Sequence, residues 1–192
     1  MIVVSDTTPL ISLMKIGQLK LINQLFGDVK IPQAVFNELV LNPRFPEESK
    51  KIKNCPFIDV VNVEEKSMVN LLRRSTGLDL GESEAIILAD TVEATLLLMD
   101  EVKGRQVALQ MEIPIMGTIG ILLAAYKEGL LSKIQIMECI ELLKKTNKNI
   151  VEIPGEYYNN FKNKIYKKIK NNNIIVITGG GFLGTLWKNE ED

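Results

Sequence analysis

The chain has no histidine. That absence removes Ser-His-Asp and Cys-His catalysis, zinc sites built on imidazole, and any histidine general base. An enzyme written in this alphabet works with carboxylates, lysines, hydroxyls or a metal held by oxygen. Cysteine is scarce too. Cys55 and Cys139 have neither metal spacing nor a disulfide framework, which points to a reducing compartment. No apolar run reaches the roughly 18 residues of a membrane span. MIVVSD lacks the basic start of a signal peptide, so a cytoplasmic protein is expected. Net charge is −1, so no global basic field announces a nucleic acid, and local patches would have to do that work. At 192 residues, one domain with a sizeable core is expected. Hydrophobic residues at 46% and charged residues at 24% fit an ordinary soluble globular class rather than a disordered one.

What is present is organised around the stretch MIVVSDTTPL. A short apolar run rich in Val and Ile predicts a buried strand. Pro9 cannot extend it but suits the first turn of a helix. Asp6 therefore falls where a central strand ends and a helix begins, with Thr7 and Thr8 beside it. In open α/β sheets, ligands bind at that carboxyl edge. The plainer account is that Asp6 or Thr7 is an N-cap.

The rest alternates. Two short amphipathic helices follow Pro9, stopped by Gly17 and Gly27. Residues 28–31 predict a strand, and Pro32 opens a helix carrying Glu38 near the edge of its buried stripe. NPRFPEES, residues 42–49, reads as a loop. FIDVVNV alternates like a strand, and a helix over 64–76 ends in Arg73 and Arg74, cations that suit a helix C-terminus. GLDLGESEAIILAD then opens a helix with an acidic first turn, in which Asp79 and Glu82 have capping-box spacing. Glu84 lies on the side of Leu88 and so toward the apolar interior. TLLLM is a second buried strand, running straight into Asp100 and Glu101. A helix over 101–111, a strand over 113–116 and helices opening at Thr118 and Ser132 complete the pattern. Strands alternating with helices predict βαβ units and a parallel sheet.

Parallel strands lay their carboxyl ends along one edge, so Asp6 and Asp100 converge. Gathered carboxylates repel and raise one another's pKa. A hard divalent cation relieves that repulsion, and Mg²⁺ takes oxygen ligands, completed by substrate phosphates. Such ions generate a hydroxide nucleophile and stabilise a leaving oxygen without histidine. Lys103 and Arg105 are candidate donors to an RNA phosphate. Arg105 equally has the i, i+4 spacing to pair with Glu101, the slightly favoured account.

The segments SDTTPLISL, IPQAVFNEL, LGESEAIILA and LLLMDEVKGRQVA, followed by IPIMGTIGIL, together resemble a PIN-domain protein of the VapC-like toxin group, over roughly residues 2 to 130. The resemblance implies a three-layer α/β/α fold with a central parallel sheet. It implies a divalent-metal-dependent endoribonuclease, the toxin of a toxin–antitoxin pair, whose acids bind Mg²⁺ or Mn²⁺. It also implies a small antitoxin as partner and a homodimer. Position by position, Asp6, Glu38, Glu84 and Asp100 match the four acids, and Thr7 matches the hydroxyl after the first. Many members carry Asp at the third position, where this chain has Glu84, and Glu82 is the alternative there. Glu101 is either an accessory outer ligand or a helix-start acid.

Two other functions compete. One is an inactive PIN-like module that binds RNA or protein, against which the retained acids argue. The other is a haloacid-dehalogenase-like phosphatase, which wants a second Asp where this chain has Thr8. The expected organisation is a nuclease domain over 1–150, a lysine-rich helix over 151–171 and an appended tail over 172–192. That tail holds G-x-G-x-x-G as Gly179, Gly181 and Gly184. Dinucleotide binding needs a following helix and an acid about 20 residues on. Only residues 185–192 remain, so no dinucleotide cofactor is expected.

Overall fold

The computed structural model describes residues 1–41 and 46–146. The lysine-rich segment and the glycine-rich tail lie outside the described residues. Strands β1 (Val3–Ser5), β2 (Val29–Pro32), β3 (Ile58–Val61), β4 (Leu96–Leu98) and β5 (Ile115–Met116) form a 5-stranded sheet in the order β3-β2-β1-β4-β5. Every pairing is parallel. Parallel neighbours need crossovers, and helices supply them. α1 (Thr7–Lys15) and α2 (Lys20–Phe26) join β1 to β2, and α3 (Gln33–Leu41) and α4 (Pro46–Lys53) join β2 to β3. α5 (Lys66–Thr76) and α6 (Leu80–Thr91) lead to β4, α7 (Val102–Gln110) leads to β5, and α8 (Thr118–Lys127) and α9 (Lys133–Thr146) follow.

Successive strand residues face opposite sides of a sheet, and here both sides are apolar. Val3, Leu96 and Leu98 join one core with Leu10 and Leu13 of α1 and Ile121 and Leu122 of α8. Val4, Leu97 and Met99 join a second core with Ile86 of α6 and Ala108 of α7. The expected α/β architecture, a parallel sheet between helical layers, is therefore the observed one. Among the described residues no helix is long and apolar enough to cross a membrane.

Two local expectations change. Residues 46–49 begin α4 instead of continuing a loop, since Pro46 occupies the first helical position, where its missing N–H is not needed. Pro32 ends β2, and α3 starts one residue later.

The strand order has a functional consequence. From β1 the chain moves out through β2 and β3, then returns with β4 on β1's other side. The carboxyl ends of β1 and β4 thus flank the topological switch point, where open α/β sheets form a crevice. Asp6 and Asp100 stand just past those ends, and the Asp6 N–H donates to the Leu98 carbonyl at 2.9 Å.

Candidate active site

Asp6 is the N-cap residue of α1 in extended conformation, yet its side chain makes no cap hydrogen bond. It is 3% exposed. Burial pushes its carboxyl from the ordinary 3.8 up to about 7, with further push from Glu82, Glu38 and Asp79, against a lowering hydrogen bond from the Thr7 backbone. Asp6 is therefore one member of a group of acids sharing a field, beyond any role as a cap.

Glu38 reaches that group from α3. Its Oε2 accepts from the Thr7 hydroxyl at 2.5 Å, which joins α3 to the start of α1. The carboxylate lies on Gly81 of α6, where a Cβ would stand 2.6 Å from Oε1. Glycine is what lets α6 approach so closely. Desolvation raises the pKa of Glu38, and Asp79 and Glu84 add to it, while the Thr7 hydroxyl lowers it.

Glu82 comes from the first turn of α6. Asp79 and Glu82 form the capping box that their spacing suggested: Glu82 N–H donates to Asp79 Oδ1 at 2.8 Å, and Asp79 N–H donates to Glu82 Oε2 at 2.9 Å. Desolvation again raises the pKa of Glu82, with Asp79, Glu101 and Glu38 contributing. The acids that feel one another are thus Asp6, Glu38, Asp79, Glu82, Glu84 through Glu38, and Glu101 through Glu82, the last being the N-cap residue of α7.

Glu84 is placed differently. It is 4% exposed, as its helical position implied, but its carboxylate serves structural partners. Oε2 accepts from the Ala34 N–H at 3.1 Å, in the first turn of α3, and Oε1 meets Lys66 Nζ of α5 at 3.2 Å. It caps one helix and anchors another. Its neighbours in space are α5 and α3, including Glu38, whose pKa it raises, whereas Glu82 acts on Asp6 as well.

Asp100 faces its own partners. The Thr118 N–H donates to Oδ1 at 2.8 Å and the Thr118 hydroxyl donates to Oδ2 at 2.5 Å. Desolvation raises its pKa, opposed by the two Thr118 hydrogen bonds and the Arg105 charge. Arg105 is 6% exposed. Its Nη1 donates to the Met99 carbonyl at 2.9 Å, and Nη2 has no hydrogen-bond partner among the described residues. A Cβ on Gly117 would sit 2.7 Å from Asp100 Oδ1 and 2.8 Å from Arg105 Nη1, so Gly117 makes room for both. Arg105 is thus turned inward beside Asp100, and no Arg105–Glu101 ion pair forms among the described residues. Lys103 is exposed, with Nζ over Gly77.

Among the described residues, no three carboxylates close on a single point suited to a metal ion. The donor chemistry nonetheless fits a hard divalent cation: oxygen ligands only, partly desolvated, each holding its proton more tightly because of burial and like charge. Sequence spacing alone missed Thr118 as the partner of Asp100 and Lys66 as the partner of Glu84, and it read Asp79 only as a cap. The GT pair that opens α8 was the available signal for Thr118.

A family model described as DUF3368, PIN domain, matches residues 2–165. No curated protein matches the chain.

Proposed function

Because the chain belongs to the PIN-domain family, a family of nuclease fold whose members typically use divalent metals, we propose that it is a Mg²⁺- or Mn²⁺-dependent endoribonuclease. The observation that carries the reading is the buried Asp6 at the switch point, pushed to about 7 in company with Glu38 and Glu82. Gathering like charges out of water costs free energy, and a cation at the same place recovers it.

Asp6, Glu38 and Glu82 would hold the metal, with Asp100 at the neighbouring strand end. Glu82 takes the third position in preference to Glu84, because Glu82 acts on both Asp6 and Glu38, whereas Glu84 acts on Glu38 alone and has both oxygens engaged by Ala34 and Lys66. A bound divalent cation supplies a water of lowered pKa and neutralises charge on the scissile phosphate. The protein's own residues do the positioning. Thr7 orients Glu38, the capping box fixes Glu82, and Thr118 orients Asp100. The wider role is that of the toxin in a cytoplasmic toxin–antitoxin pair, acting on RNA as a homodimer and silenced by a small antitoxin.

The test is cleavage of a mixed RNA pool by purified protein with Mg²⁺, Mn²⁺ or EDTA, beside Asp6→Asn, Glu82→Gln and Asp100→Asn. Metal-dependent cleavage lost in all three variants supports the reading. Cleavage that survives in them, or that ignores EDTA, refutes it. RNA binding without cleavage transfers the case to an inactive binding module.

A further inference from the structure

One turn of chain before the first turn of α6 lies a basic cluster that the catalytic reading leaves unused. Arg73 and Arg74 stand in the last turn of α5, exposed, and both line a cavity of 310 Å³ together with Asn70 and Leu78. The plain role for such cations is to neutralise a helix C-terminus. Other groups already do part of that work here. The Ser75 hydroxyl donates to the Leu72 carbonyl at 3.1 Å and the Thr76 hydroxyl to the same carbonyl at 2.6 Å. The Gly77 N–H, in left-handed conformation at φ 70°, donates to the Arg73 carbonyl at 2.7 Å. The Leu72 and Arg73 carbonyls are thus engaged without either guanidinium. Among the described residues, neither forms an ion pair.

A third cation joins them from another element. Lys103 Nζ, from α7, lies 3.1 Å from where a Cβ on Gly77 would be. Gly77 is also the link between the basic cluster and the acids. It ends α5, and Leu78 then leads directly to Asp79 and the first turn of α6, where Glu82 sits. Positive and negative groups therefore follow one another across the turn from α5 to α6. A net charge of −1 hides this separation. An extended polyanion that presents one phosphate to the acids and a metal needs cations for its flanking phosphates. Arginine, with its planar fork, suits phosphate oxygens in particular.

We propose that Arg73, Arg74 and Lys103 form a phosphate-binding rail that holds the single-stranded RNA backbone beside the acidic site. The inference rests on the nuclease reading for its substrate, but binding tests it separately from cleavage. The experiment is fluorescence anisotropy of a labelled single-stranded RNA of mixed sequence, titrated with the full chain in EDTA across a range of salt. The variants are Arg73→Ala/Arg74→Ala, Arg73→Lys/Arg74→Lys and Lys103→Ala, each checked for fold by circular dichroism.

The double alanine variant is expected to bind about tenfold or more weakly. Its slope of log affinity against log salt should flatten by about 1.4, at about 0.7 per lost contact on a single strand. The double lysine variant should keep most of the slope, and Lys103→Ala should lose about half as much of it as the double alanine. Folded double alanine protein with unchanged affinity and slope overturns the rail. So does wild-type protein that does not bind the RNA in EDTA. Metal-dependent cleavage that persists in either case leaves the nuclease reading standing and moves the binding surface elsewhere. Binding that follows the rail without any cleavage separates the two readings in the other direction.

Discussion

Asp6→Asn should stabilise the protein while abolishing its activity. Asparagine keeps the size of Asp6 and its ability to accept from the Thr7 N–H, but carries no charge. The native carboxyl titrates near 7 and the unfolded one near 3.8, a difference of about 3 units, or about 4 kcal/mol when both states are ionised. Between those values the native chain holds a proton that the unfolded chain has released. Stability therefore falls as pH rises through that window, and the penalty is complete above it. By this linkage the wild type carries about 4 kcal/mol of penalty near pH 8, and about 2 kcal/mol near pH 5. Burying an amide with incomplete partners takes back about 1–2 kcal/mol of the gain.

The net expectation for Asp6→Asn in EDTA is about 2–3 kcal/mol of added stability near pH 8, equivalent to roughly 5–10 °C in Tm for a chain of this size. The advantage should shrink by more than half, or change sign, near pH 5. Urea unfolding of both proteins at the two pH values measures it. Adding Mn²⁺ near pH 8 should then stabilise the wild type and leave Asp6→Asn almost unmoved if the native acids hold the ion as proposed, because a ligand of the folded state alone favours that state. An Asp6→Asn protein no more stable than wild type near pH 8 in EDTA would refute the argument that burial and like charge strain this position. So would an advantage that does not depend on pH.

Three further outcomes follow from neighbouring residues. Glu82→Gln should remove metal-dependent cleavage at little cost in stability, while Glu84→Gln should cost about 1–3 kcal/mol in urea unfolding by weakening its ties to Ala34 and Lys66; the reverse pattern would return the third position to Glu84. Gly81→Ala places a Cβ against the flexible end of Glu38, so Tm should hold or rise, since alanine favours a helix by up to about 1 kcal/mol, while cleavage falls because the Glu38 carboxylate is displaced; full activity in Gly81→Ala would separate Glu38 from the site. Thr118→Val deprives Asp100 of its 2.5 Å hydroxyl donor, and because that bond favours the ionised form, the loss of about 1–3 kcal/mol should grow with pH in thermal melts.

The parts of this molecule that could be read from the sequence are those set by local rules. The buried apolar run ending in Asp6, the glycines that stop α1 and α2, and the Asp79–Glu82 spacing each report on a few adjacent residues, and each appears in the structure as an element end or a cap. The acidic group was less legible because it is assembled between elements. Helical periodicity correctly sends Glu84 inward, and residues 82 and 84 project about 200° apart on a helix. Inward, however, is toward the start of α3 and Lys66, and only the packing of α6 on α3 turns the first turn of α6, with Glu82, toward Asp6. Arg105 shows the same limit from the other side. Its spacing offered Glu101 as a surface partner, but Gly104 sits against the Met99 side chain, where a Cβ would come within 2.5 Å of Sδ. That close approach draws α7 onto the end of β4 and places Arg105 beside Met99 and Asp100. In both cases a glycine that permits close contact, Gly81 for Glu38 and Gly104 for Arg105, decides which charges meet. Such glycines are read from a sequence only as weak points in a helix, although here they set the electrostatics of the site.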